Sequence, residues 1–118
     1  MFSRLNSNIK NFRVFRGMTQ EDLALRVGKS KNVISNWERG DNNPDIEIVE
    51  LLCKVLGVTP NQIYGWEPFE EYEQYSLKMK KKKEEIIALE AERNEIQKRI
   101  DTLQYEIKIE EDKLRGSD

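Results

Sequence analysis

The chain of 118 residues contains no histidine, one cysteine, three prolines and no long apolar run. Without His, and with Cys53 alone, a Cys/His zinc site cannot be built and no metal site is expected. A single thiol forms no intrachain disulfide. Cys53 lies on an apolar helical face, so it reads as an ordinary buried thiol in a reducing compartment. No stretch approaches the ~20 apolar residues of a membrane span, and the N-terminus lacks the apolar run of a signal peptide. The expectation is a soluble, cytoplasmic chain with no membrane partner. There is no Gly-rich phosphate loop and no nucleophile–base pair, so the sequence offers no catalytic residues, implies no cofactor and does not read as an enzyme. It also lacks a strong charge of either sign, with a net charge of −2. That value conceals a division. Residues 1–66 hold nine Lys/Arg against seven Asp/Glu, and residues 67–118 hold eleven against fifteen. Any polyanion contact must therefore come from locally placed charges.

Charge is abundant in total, at 36% of residues against 37% apolar, a balance typical of a small core joined to a long exposed helix. The length suits one small domain plus an extension. Residues 3–16 form an expected first helix, with Leu5, Ile9 and Phe12 inward and Gly17 as its breaker. Gln20 to Val27 places Leu23, Ala24 and Val27 on one face, behind Thr19 as N-cap and Asp22 as the partner in a capping box. Gly28 ends that helix. Ser30 caps another, Lys31 to Arg39, with Val33, Ile34 and Trp37 as its buried stripe and Gly40 as its stop. Asp45 caps a fourth, Ile46 to Leu56, expected to turn Ile46, Val49, Leu52, Cys53 and Leu56 inward. Thr59-Pro60 opens a short fifth helix through about Tyr64. The fold class is all-α.

Two helices joined by a tight turn around a Gly form the helix-turn-helix unit of DNA-binding proteins. TQEDLA (19–24), VGKSKNVISNWERG (27–40), the following Pro44 and Leu56-Gly57-Val58 resemble the DNA-binding domain of lambda, 434 and Cro-type phage repressors, the XRE family. The resemblance spans about residues 5–65 and implies a five-helix lambda-repressor-like fold. Lys31, Asn32, Ser35 and Asn36 face away from the Val33/Ile34/Trp37 stripe. Their donors and acceptors suit base edges: Lys for guanine, Asn for adenine. The resemblance points to the same four as base readers. It makes Gln20, at a helix start, a phosphate contact, and Lys29, Arg39, Asn42 and Asn43 flank the reading helix as further candidates. It also implies a structural ion pair between Arg13 and Glu38. Asp41-Asn42-Asn43 stands where the family more often has basic residues, an expectation of weaker non-specific binding.

The turn Gly65-Trp66-Glu67-Pro68 marks the expected boundary between a domain of residues 1–66 and an extension of residues 67–118. From Phe69 to Leu114 neither Gly nor Pro interrupts a helix of ~69 Å. A heptad register places Met79, Ile86, Arg93, Ile100, Ile107 and Leu114 at a. Lys82, Leu89, Ile96, Leu103 and Glu110 fall at d, and Tyr72 and Tyr75 extend the register N-terminally. Eight of these eleven positions are apolar, a coiled-coil seam for a homodimer, and Ile at a with Leu or Ile at d suits a two-stranded parallel coil. Like charges at Glu85/Glu90 and Glu106/Glu111 in a parallel pair leave an antiparallel pair, or packing on another protein, open. A single solvated Glu/Lys-rich helix is the bland alternative, and Lys80–Lys83 reads as a solvated face.

The function expected from residues and resemblance together is a sequence-specific double-stranded DNA-binding regulator, a phage or mobile-element repressor binding an inverted-repeat operator as a dimer. The alternative is a coiled-coil adaptor or antitoxin-like regulator whose main partner is a protein. At this length the self-cleaving domain that many family members carry is not expected. Switching by a partner, such as an antirepressor, is the corresponding expectation.

Overall fold

A computed structural model describes residues 3–116, and among them every regular element is helical. The order is α1 (Leu5–Phe15), α2 (Gln20–Val27), α3 (Lys31–Arg39), α4 (Ile46–Leu56), α5 (Pro60–Ile63) and α6 (Glu70–Arg115). The architecture is a five-helix domain followed by one long helix. No described helix is long and apolar enough to cross a membrane.

Side-chain caps set where the helices begin. Thr19 Oγ1 accepts the Asp22 N–H at 3.0 Å while the Thr19 N–H donates to Asp22 Oδ2 at 2.9 Å. Thr59 and Gln62 form the same reciprocal box ahead of α5, and the Asp45 carboxylate accepts the Ile48 N–H at 2.9 Å. Each box satisfies donors that a helix start would otherwise leave open. The hydrogen bonds from Thr19, with Arg26 adding attraction, hold the Asp22 carboxyl below its ordinary 3.8. Its contribution to stability is therefore complete above that pH and is lost as pH falls through the lower folded value.

The core gathers residues from α1 to α5, with Ile9, Leu23, Ile34, Leu52, Leu56 and Ile63 fully buried. Burial pushes the Cys53 thiol up, and the Glu50 charge adds to the shift. Ile46 departs from expectation and is 73% exposed. As the first residue of α4 it lies at the end of the helix, where Pro44 is buried, and Ile48 packs against the core in its place.

The chain divides into two compact units, the first running to Ser76 and the second starting at Leu77. The first unit extends eight residues beyond the Gly65–Pro68 turn because Phe69, Tyr72 and Tyr75 pack on α1. The Phe69 ring meets those of Phe12 and Phe15 edge-on at 5.2 and 5.7 Å, and Tyr72 meets the same pair at 5.3 and 5.8 Å. Tyr72 and Tyr75, expected to continue the coiled-coil seam, are thus taken by the first unit; aromatic packing, edge-on for Tyr72 and tilted for Tyr75, outcompetes the heptad there. The Arg16 guanidinium covers Phe15 and Phe69 at 5.1 and 5.4 Å and donates to the Leu56 carbonyl at 2.8 Å, closing the end of α4.

The second unit is helix alone. Ile86, Leu89, Ile96, Ile100, Leu103 and Ile107 are between 41% and 61% exposed along it, an apolar stripe with no cover in a single chain. Met79 is half-buried and Leu114 exposed.

Phe69→Ala is expected to cost about 3 kcal/mol of stability, read from urea unfolding, by removing a buried ring from this aromatic cluster. A loss below about 1 kcal/mol would show that the contacts with Phe12 and Phe15 contribute little.

Candidate nucleic-acid interface

The candidate interface is built on α2 and α3. Gly28, at φ 68°, takes the left-handed conformation that lets α2 stop and the chain reverse within three residues. Ser30 then opens α3 by accepting the Val33 N–H at 3.3 Å. Ile34 and Trp37 are buried and Val33 is half-buried against the core, which fixes the rotation of α3 about its axis.

That rotation leaves Lys31 and Asn32 exposed and Ser35 and Asn36 half-buried on the opposite side. Lys31 Nζ lies 3.8 Å from Glu21 Oε1, an exposed pair that contributes little to stability. Arg39, one of the expected phosphate contacts, donates instead to Ser35 Oγ and Asn36 Oδ1, and its Nε reaches Asp41 Oδ2 at 3.0 Å. In the free protein one guanidinium therefore holds two of the four expected base readers.

The helices are joined beneath this surface by the Glu38 carboxylate. It accepts Arg13 Nε at 2.7 Å, Arg13 Nη2 at 3.0 Å and Gln20 Nε2 at 3.0 Å. Arg13 Nη1 donates to the Met18 carbonyl at 2.8 Å. The Arg13 and Glu38 side chains are only 10% and 4% exposed. Arg13 comes from α1, Gln20 from α2 and Glu38 from α3, so one buried carboxylate ties three helices. Gln20 and Lys31 line the same depression of about 450 Å³, with Arg13, Met18, Thr19 and Glu21.

The remaining residues on this side are less uniform. Lys29 is exposed, and its backbone N–H donates to the Ala24 carbonyl at 2.9 Å. Asn42 and Asn43 are exposed, but their loop is pinned to α1 by Asn6. Asn6 Nδ2 donates to the Trp37 carbonyl at 2.6 Å and to Asn43 Oδ1 at 2.9 Å. Asn6 was not singled out from the sequence; a contact across more than thirty residues leaves no periodic signal. Buried Asn8, which donates to the Ile63 carbonyl at 3.1 Å, escaped notice for the same reason. Among the described residues no cluster of acidic or thiol groups could hold a metal ion.

Caps, turn and buried stripe together define a helix-turn-helix domain. The Helix-turn-helix family (HTH_3) matches residues 9–63. An uncharacterized HTH-type transcriptional regulator of Archaeoglobus fulgidus is 32% identical over 69 residues, covering 58% of this chain and 97% of that protein. The chain belongs to this family. It is also similar to the cryptic phage CTXphi transcriptional repressor RstR of Vibrio cholerae, 41% identical over 58 residues, which cover 49% of this chain and 50% of RstR. The chain thus spans about half the length of curated relatives such as RstR. Among solved structures, the P22 c2 repressor in complex with a synthetic operator superposes with a TM-score of 0.51 at 28% identity, covering 53% of this chain and 96% of that one.

Glu38→Ala would leave the Arg13 guanidinium largely buried with the Met18 carbonyl as its main acceptor. It is expected to destabilise the domain by about 3–5 kcal/mol in thermal or urea unfolding, with Glu38→Gln less damaging. An unchanged melting temperature would mean that the three-helix tie carries no weight.

Proposed function

We propose that the protein is a transcriptional repressor of the phage or mobile-element type, which binds double-stranded operator DNA through α3 and acts by occupying a promoter. The observation that carries this reading is the outward face of α3. Lys31, Asn32, Ser35 and Asn36 gather there, a polar set on a helix whose opposite side is locked into the core. Likeness to a phage repressor and to a repressor bound to operator supports it.

Lys31 and the two asparagines supply the side chains for guanine and adenine edges in the major groove. Gln20, at the first turn of α2, takes a backbone phosphate, helped by the positive end of that helix. Lys29, Asn42 and Asn43 flank α3 and hold further phosphates. Arg39 exchanges its contacts with Ser35 and Asn36 for a phosphate on binding, which frees both side chains for the bases. Two chains associate through the apolar stripe of α6. Their helix-turn-helix units read an inverted repeat with half-sites about 34 Å apart, or a multiple of that spacing.

The test is selection from a random duplex library at low salt, wild type beside Lys31→Ala/Asn36→Ala. The wild type is expected to enrich an inverted repeat. On that repeat each base-reading substitution should cost about 1–3 kcal/mol, whereas Lys29→Ala should lower the salt slope by about 1 and leave the sequence preference intact. Absence of any enriched sequence would refute the repressor reading and favour a role in which α6 binds a protein partner.

A further inference from the structure

We infer that α6 pairs with α6 of a second copy in antiparallel orientation. This rests on the self-association proposed above and deepens it: the charges along the stripe specify which way the second helix runs. In coiled coils the residues flanking the seam, and polar residues within it, set orientation and register.

The apolar seam alone suits a parallel pair, but in register its charges oppose it. Its flanking contacts set Lys78 against Lys83, Glu85 against Glu90, and Glu106 against Glu111, with only glutamine partners at the two contacts between. None attracts. Within the seam it stacks like on like, Arg93 on Arg93, Lys82 on Lys82 and Glu110 on Glu110. Like charges held face to face across a desolvated seam are costly.

Reversing one helix removes all three stacked layers. With Ile100 opposite Ile96 and Ile107 opposite Leu89, Arg93 faces Leu103, Lys82 faces Leu114, and Glu110 faces Ile86. Each charged side chain then packs its stem on an apolar neighbour and turns its head to water. The flanking contacts now include Lys83 with Glu111 and Glu85 with Lys113, each made twice by symmetry. Against them stand Glu92 opposite Glu106, also made twice, and a single Arg99 opposite its own copy, so attractive contacts outnumber repulsive ones by one. Among the described residues Lys83 and Glu85 make no ion pair within their own chain, while Glu111 and Lys113 hold exposed pairs with Arg115 and Glu110 that are weak enough to be exchanged. The apolar stripe itself, from Ile86 to Ile107, is exposed throughout and available to be covered.

Orientation matters for what the pair can do. In a parallel pair the two helices begin side by side, about 10 Å apart. In the antiparallel pair the Lys82 end of one helix lies beside the Leu114 end of the other. The two Lys82 residues are then roughly 50 Å apart along the axis at 1.5 Å per residue.

The test uses the full chain and the sign of a charge change. The dimer dissociation constant is measured by sedimentation equilibrium at low salt for wild type, Lys83→Glu, Glu111→Lys and the double variant. Both positions are exposed on α6, so the first unit is untouched. Antiparallel pairing predicts that each single change weakens dimerisation by roughly tenfold and that the double variant restores it. A parallel pair would respond oppositely, since Lys83→Glu then faces Lys78 and Glu111→Lys faces Glu106; tighter association of either single variant overturns the inference. No change in either single variant also overturns it. A monomeric wild type would refute self-association itself, a failure separate from one of orientation.

Discussion

A single buried carboxylate organises the helix-turn-helix unit. Glu38 sits on α3, yet two of its three hydrogen-bond donors come from α1 and the third from α2. Burying an ion pair is costly, and the Arg13–Glu38 pair is tolerable because its geometry is bidentate and the neighbouring polar groups complete it. Among the described residues no buried side-chain polar atom lacks a partner. An apolar contact here could slide; a directional network does not. The start of α2, where Gln20 lies, is thereby held at a set distance from α3, where Lys31 opens the outward face. The relation between these two helix starts is what a duplex would meet.

Above this tie the surface is less rigid. Arg39 holds Ser35 and Asn36 through exposed contacts, and the Lys31–Glu21 pair is exposed as well. Such contacts are weak in water and are readily exchanged for phosphates or base edges. A stiff base with replaceable surface partners suits recognition, because little buried structure has to be broken for the polar face to change partners.

Much of the fold was legible in the residues because its punctuation is local. Thr19, Gly28, Ser30, Gly40, Asp45, Gly57 and Thr59 each mark an end by a mechanism confined to a few positions, and the structure places α2 to α4 between them. Ile46 misled because periodicity assigns a face without saying where the core stops. Tyr72 and Tyr75 misled because a heptad pattern does not reveal that Phe12 and Phe15 compete for the same rings. The outward set on α3 could be read from its phase against the buried stripe. The partners of Asn6 and Arg39 could not, since both depend on a loop closing against a distant helix or on its own last turn.

The central claim, that the outward face of α3 is where this protein meets DNA, is tested most directly by titrating isotopically labelled full chain with its selected duplex and following backbone amide shifts. The account predicts that the largest changes cluster at Gln20, at residues 29–36, and at Arg39, Asn42 and Asn43, while Ile86 to Ile107 stay in place. Changes concentrated along α6, with α3 unmoved, would contradict it.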